Sequence, residues 1–132
     1  MLPRDVYEIV HVIGIALVML AFGGIASHAA AGGAFKGPGS QRTLRFAHHA
    51  GMLLLLVGGF GMLARIGIAK GGIAKGGIAS FPLWLWAKLA LFLVLGGTVA
   101  LPYRRPRWAW PAFFATPLVA GAAVYLALYK PF

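Results

Sequence analysis

The chain has 132 residues, of which 61% are hydrophobic and 11% charged, and its formal net charge is +10. Because it contains no cysteine, the sequence excludes disulfides, iron–sulfur clusters and thiolate zinc sites. Its only acidic residues are Asp5 and Glu8. This supply is too small for paired-carboxylate hydrolysis or a carboxylate-bridged di-metal centre.

Four apolar blocks predict an integral membrane protein. They cover residues of about 6–28, 44–66, 82–101 and 111–129. Each is long enough to cross about 30 Å of hydrocarbon as a helix. We therefore predict an all-α, antiparallel four-helix bundle with up-down-up-down order, one transmembrane domain and both termini on the same side. The first block lacks a basic leader and is longer than a signal-peptide core, so we expect it to be a retained span.

Two glycine-rich segments, residues 29–43 and 67–80, are predicted to be flexible loops. The second contains the repeat GIAKGGIAKGGIAS, whose five-residue period matches neither a helix nor a strand. Glycine amides and nearby lysines also suit a phosphate. The segment lacks the G-K-[ST] ending and the preceding strand of a phosphate-binding loop, so a linker is the favoured interpretation.

The basic residues lie mostly at the ends of the predicted helices and in the loops. Membrane proteins use such positions to set orientation and to contact anionic lipids, which favours a lipid bilayer over nucleic acid as the partner. The two sides carry six and five basic residues, a small bias towards both termini outside in a multi-pass protein of the inner (cytoplasmic) membrane. The six are Lys36, Arg42, Arg45, Arg104, Arg105 and Arg107, and the five are Arg4, Arg65, Lys70, Lys75 and Lys130.

Polar residues of the first and third blocks are predicted to meet. At 1.5 Å per residue, His11 and Lys88 lie about 8 Å and 9 Å from the start of their helices, on the same side of the membrane. Glu8 is one turn above His11 on the same face. We predict a polar cluster of Glu8, His11 and Lys88 near the terminal face, with Tyr125 and Arg65 as further members, because intramembrane ionisable groups mark functional sites.

Purely structural interpretations of this cluster stay open. The Lys88 side chain can extend its ammonium to the membrane interface beside Trp84, one turn earlier. Glu8 can neutralise Arg4 or Lys88. His11 can be a neutral histidine that bonds to a backbone carbonyl.

The other three histidines are predicted to lie near the opposite face. His11 and His28 are about 25 Å apart along one helix, so they cannot share a metal ion or a porphyrin iron. His28 can share one with either His48 or His49, which point about 100° apart on the second helix. These three are secondary metal candidates, and an interfacial position without a ligand is the favoured alternative.

A short pattern runs through the chain: His11 in the first span, Trp84 with Lys88-Leu89 at the start of the third, and Lys130-Pro131 at the end. This pattern resembles the HemJ-type protoporphyrinogen oxidases, small four-span membrane proteins that bind heme. The resemblance implies that His11 is a heme ligand and that Lys88 is a porphyrin-site or catalytic residue.

Three functional hypotheses follow. The leading one is a protein that binds heme or a porphyrin, with His11 as the axial ligand, Lys88 pairing with a carboxylate, and Glu8 and Tyr125 completing the site. The second is a non-catalytic accessory subunit of a larger respiratory or photosynthetic membrane complex, or a homo-oligomer, whose small-residue runs at 96–100 and 123–127 contact partners. The third is a small transporter or channel component, which would require oligomerisation.

Overall fold

The computed structural model describes residues 2–34, 39–65 and 81–129. These residues form helices and turns, with no strand among them. In this part of the chain, five helices and one short 3₁₀ turn follow one another. They are α1 (Arg4–Ala30), α2 (Ser40–Arg65), α3 (Leu83–Gly97), the single-turn α4 (Leu101–Arg104), the 3₁₀ turn Pro106–Trp108, and α5 (Ala109–Tyr129).

Three of these segments are long and apolar enough to cross a membrane, judged by length and composition: Arg4–Ala30, Gln41–Arg65 and Pro106–Tyr129. This confirms the prediction of an all-helical chain and supports that of a membrane protein. The first loop is shorter than predicted, because α1 continues to Ala30 and α2 already begins at Ser40. Residues 35–38 and the predicted linker 67–80 lie outside the described part of the chain.

Helices α1 and α2 pack side by side and antiparallel, and glycines bring their backbones together. A Cβ atom on Gly58 would lie 2.7 Å from the backbone nitrogen of His11 and 2.7 Å from the carbonyl oxygen of Tyr7. About one turn away, a Cβ on Gly14 would lie 2.7 Å from the backbone nitrogen of Leu55. Backbone contact of this kind gives close van der Waals packing where lipid removes the hydrophobic drive.

The third apolar block is shorter as a helix than its sequence predicts. Helix α3 has 15 residues, about 22 Å at 1.5 Å per residue, and ends at Gly97 instead of continuing to residue 101. Two glycines weaken its last turn, and the Thr98 hydroxyl donates a hydrogen bond to the Leu95 carbonyl over 2.7 Å. The separate turn α4 then begins at Leu101, with Pro102 in its first positions.

Helices α2 and α3 contact each other near both ends of α3. At one end Leu63 joins Phe81, Trp84 and Leu85 in a buried apolar cluster. At the other end a Cβ on Gly96 would lie 3.1 Å from the methyl carbon of Met52. The two contacts show that α3 runs antiparallel to α2.

Helix α5 packs against both α1 and α3. Its contact with α1 includes Phe113, whose ring would lie 3.3 Å from a Cβ on Gly23. Its two buried residues, Ala109 and Thr116, both precede Pro117. Pro117 has no N–H to donate within the helix. The buried part of α5 is therefore its first half.

Candidate functional site

A cavity of about 400 Å³ lies between α1, α2, α3 and α5, at the end of the structure where α1 begins and α5 ends. Most of its wall is apolar, with Trp84, Leu89 and Phe92 of α3 among the lining residues. Four ionisable side chains also line it. They are Arg4, Glu8, His11 and Lys88. The structure thus brings together the predicted residues Glu8, His11 and Lys88, which are far apart in the sequence.

The His11 ring is fixed by α2. Its Nδ1 lies 2.9 Å from the carbonyl oxygen of Leu55. A carbonyl only accepts hydrogen bonds, so Nδ1 carries the proton and donates it. In the neutral ring this leaves the lone pair of Nε2 for another partner. Gly59 lies beside the ring, where a Cβ would be 3.6 Å from Cε1, an ordinary van der Waals contact.

The Lys88 side chain is half-buried in the cavity wall. It lies within electrostatic range of the His11 ring. In the described part of the chain, neither Asp5 nor Glu8 approaches its ammonium as an ion-pair partner. An ammonium in a largely apolar wall is costly without a partner, so the site is suited to an acid group brought by a ligand.

Arg4 and Glu8 occupy the edge of the cavity. Both side chains are exposed and lie one helical turn apart at the beginning of α1. Glu8 is a predicted member of the polar cluster, whereas the sequence points to Arg4 only as a counter-ion for Glu8. The i,i+4 spacing from Arg4 to Glu8 was the available signal that both share one helix face.

Tyr125 and Arg65 are not brought to the cavity. The Tyr125 side chain is 52% exposed, and its ring stacks at an angle on that of Tyr129, with centroids 4.9 Å apart. The neighbouring residues Val124 and Leu128 line the cavity instead. Successive helix residues are rotated by about 100°, so the face of α5 that reaches the cavity points away from Tyr125.

A second polar cluster lies near the opposite end and joins three elements. The Nδ1 atom of His28 on α1 lies 2.8 Å from the Tyr103 hydroxyl on α4. The buried side chain of Gln41 on α2 also hydrogen-bonds this hydroxyl. No sequence pattern predicts that Gln41 and Tyr103 meet, because a single-turn helix such as α4 is too short for a periodic pattern that would indicate its orientation.

The remaining histidines differ in their surroundings. His48 is fully buried beside the backbone of Leu95, and neither of its ring nitrogens has a hydrogen bond of standard geometry within the described residues. The His49 ring is exposed and meets it edge-on, with centroids 5.7 Å apart. Across residues 2–34, 39–65 and 81–129, no three His, Asp or Glu side chains are grouped as a metal site. Within these residues, therefore, His28, His48 and His49 do not belong to a group of three potential metal ligands.

No family model, curated protein or solved structure matches this chain. Its function has to be inferred from the cavity and from the groups that line it.

Proposed function

We propose that the chain is a four-span membrane protein that binds heme or a related porphyrin in the cavity, with His11 as the axial ligand and Lys88 pairing with a propionate. The observation that carries the proposal is that a histidine and a half-buried lysine line one largely apolar cavity. Pockets for small molecules commonly have volumes of about 300–1,000 Å³, and this cavity has about 400 Å³.

The environment of His11 suits an iron ligand. Histidines that bind metals usually donate their second ring N–H to a carboxylate or a backbone carbonyl, which fixes the tautomer and the ring orientation. The hydrogen bond from Nδ1 to Leu55 provides this support and leaves Nε2 for the iron. When bound, a heme would supply the redox chemistry, while the protein positions it and excludes water.

The environment of Lys88 suits an acid group of the same ligand. A hydrogen bond between an ammonium and a carboxylate is stronger than one between neutral groups, and the apolar wall reduces competition from water. Trp84 and Phe92 provide flat apolar surface on the same helix. If the protein oxidises a porphyrinogen, as the HemJ-type resemblance implies, Lys88 is the residue we propose to act on the substrate.

The same proposal includes the placement of the chain in a bilayer. We propose four antiparallel spans in the inner (cytoplasmic) membrane, both termini outside, and basic loops in contact with anionic lipids. In this arrangement the third crossing consists of α3, the turn at residues 98–100 and α4. The cavity then opens near the outer face, where α1 begins and α5 ends.

Spectroscopy of the purified protein tests the role of His11. Titration with heme should produce a Soret band typical of a ligated iron. His11→Ala should weaken heme binding by about tenfold or more, because loss of the axial ligand removes at least about 1.4 kcal/mol. His49→Ala is the matched control, since His49 is exposed and does not line the cavity. A wild-type protein without a Soret band, or equal effects of the two substitutions, would refute the proposal.

A modified ligand tests the role of Lys88. Lys88→Met keeps a long apolar side chain but removes the charge, and it should weaken heme binding by about tenfold. The dimethyl ester of heme has no free carboxylate, so its affinity should be the same for the wild type and for Lys88→Met. If Lys88→Met weakens the binding of heme and of its dimethyl ester equally, Lys88 acts through packing and the proposed ion pair is wrong.

A non-catalytic accessory subunit of a larger respiratory or photosynthetic complex is the second candidate. It is favoured by α5, of which only Ala109 and Thr116 are buried, and by Gly121, where a Cβ would meet no atom within 4 Å. Such a surface suits a neighbouring helix as well as lipid. If mild-detergent extraction of native membranes yields the chain by itself, this candidate is rejected.

A further inference from the structure

We infer that the ligand reaches the cavity sideways from the bilayer, through a gap between the first half of α1 and the second half of α5. This inference rests on the proposed function, and it adds that the ligand is a membrane-dissolved amphiphile with an acid group. The lateral opening is defined by Val12 on α1 and by Val124 and Leu128 on α5. All three residues line the cavity and are also exposed, with Val12 at 57% and Leu128 at 71%.

The α1–α5 contact at Gly23 lies away from this level, because a Cβ there would meet the ring of Phe113. On α5 the buried residues end at Thr116, one residue before Pro117. On α1 the first buried residue is Gly14. At the level of the lateral opening, therefore, neither helix has a buried residue.

The two sides of the cavity that α2 forms with α1 and with α3 are more closed. Helices α1 and α2 touch through their backbones at Gly58, which leaves no passage between them. Helices α2 and α3 meet on both sides of the cavity, through Leu63 with Trp84 at one end and Met52 with Gly96 at the other. Between these contacts Leu56 lines the cavity and is 38% exposed, so this side is the rival route.

The chemistry of the edge matches an amphiphile in a bilayer. Val12, Val124 and Leu128 can face acyl chains without loss of hydration, whereas the exposed Arg4 and Glu8 precede Val12 on α1, nearer the first residue of that helix. A ligand that moves sideways between α1 and α5 would keep its apolar body in hydrocarbon. Its acid group would travel at the level of Arg4 and then reach Lys88 inside the cavity.

Cross-linking tests the route directly, because the sequence contains no cysteine and introduced thiols are unique. The double variant Val12→Cys/Val124→Cys is reconstituted in vesicles and joined with a short, cleavable bifunctional thiol reagent. Heme dissolved in the vesicle membrane is the probe, and growth of the Soret band gives the uptake rate. We expect cross-linking to slow uptake by about tenfold or more, and cleavage of the linker to restore the rate. An unchanged rate after complete cross-linking would overturn the inference.

Two further pairs serve as controls. Gly23→Cys/Phe113→Cys joins the same helices where they already touch, and linking it should leave the uptake rate unchanged. Leu56→Cys/Leu89→Cys closes the rival side between α2 and α3. If the rival pair slows uptake and the Val12/Val124 pair does not, the ligand uses the other route and the inference is wrong.

A second probe tests the lateral opening independently of whether heme is the ligand. If the unlinked protein takes up no heme, the proposed function fails, and the same pairs are tested with cis-parinaric acid, a fluorescent long-chain carboxylic acid. Slower binding of this acid after Val12/Val124 cross-linking would support the opening by itself. An unchanged rate, or no binding of either probe, would overturn the inference.

Discussion

At Gly58 the backbones of α1 and α2 approach so closely that no side chain fits. An alanine there would place its methyl group 2.7 Å from both the His11 nitrogen and the Tyr7 carbonyl oxygen, and neither backbone can move aside cheaply. We expect Gly58→Ala to destabilise the protein by about 1–3 kcal/mol, the usual cost of overpacking. Unfolding in mixed detergents, followed by circular dichroism, measures this.

Gly121→Ala is the matched control for Gly58→Ala. Gly121 also lies inside a helix, but a methyl group there would meet no atom within 4 Å. Because alanine favours a helix over glycine by up to about 1 kcal/mol, the control should be neutral or slightly stabilising. Equal losses from both substitutions would mean that α1 and α2 do not pack at Gly58 as described.

The position of a residue along a helix could be predicted from the sequence, and its direction around the helix could not. His11 and Lys88 reach one cavity because the rise of an α-helix is constant, so two apolar blocks that start at the same face share a depth scale. Tyr125 has a suitable depth but points away, because the rotation of α5 depends on its contacts with α1 and α3. Because the sequence of α5 is almost uniformly apolar, it does not indicate which face of the helix makes those contacts.

Tyr103 ties the turn α4 to both long helices of the first pair. Its hydroxyl bonds to His28 on α1 and to Gln41 on α2. Tyr103→Phe removes both hydrogen bonds and leaves the buried Gln41 amide with one partner fewer, so we expect a loss of about 1–3 kcal/mol in the free energy of unfolding. Tyr129→Phe, at an exposed ring on α5, should change stability by less than about 0.5 kcal/mol.

The sequence predicted where helices exist better than where they end. Both α1 and α2 extend beyond their apolar blocks, since Arg4 and the residues from Ser40 continue the backbone hydrogen bonds in a polar setting. Helix α3 ends early, where two glycines and the back-bonded Thr98 compete with the helix although the residues are still apolar. Hydropathy measures the medium that a segment prefers, and local backbone chemistry decides its last turn.

For the whole molecule, the unequal packing of its helices explains the cavity. Backbone contacts at Gly14 and Gly58 make α1 and α2 a tight pair, while α3 contacts α2 near its two ends. The second half of α5, after Pro117, has no buried residue. Space therefore remains between the tight pair and the other two helices, at the end where His11 and Lys88 lie.

The number of membrane crossings depends on α3, because 15 residues span only about 22 Å of a hydrocarbon layer about 30 Å thick. We expect the turn at residues 98–100 and α4 to complete the crossing, since residues 83–104 would reach about 33 Å if they were helical throughout. Leu2 and Arg104 should then lie on opposite sides of the membrane, and Leu2 and Tyr129 on the same side.

Single cysteines at these three exposed positions test this arrangement, because the natural chain has none. A membrane-impermeant maleimide should label Leu2→Cys and Tyr129→Cys in intact spheroplasts, in line with the small charge bias towards termini outside, and Arg104→Cys only after lysis. Leu118→Cys, on an exposed apolar face in the middle of α5, should stay unlabelled until detergent is added. Labelling of Leu2→Cys and Arg104→Cys from one side would show that α3 enters the membrane without crossing it. That result would reject the four-span arrangement proposed for the chain.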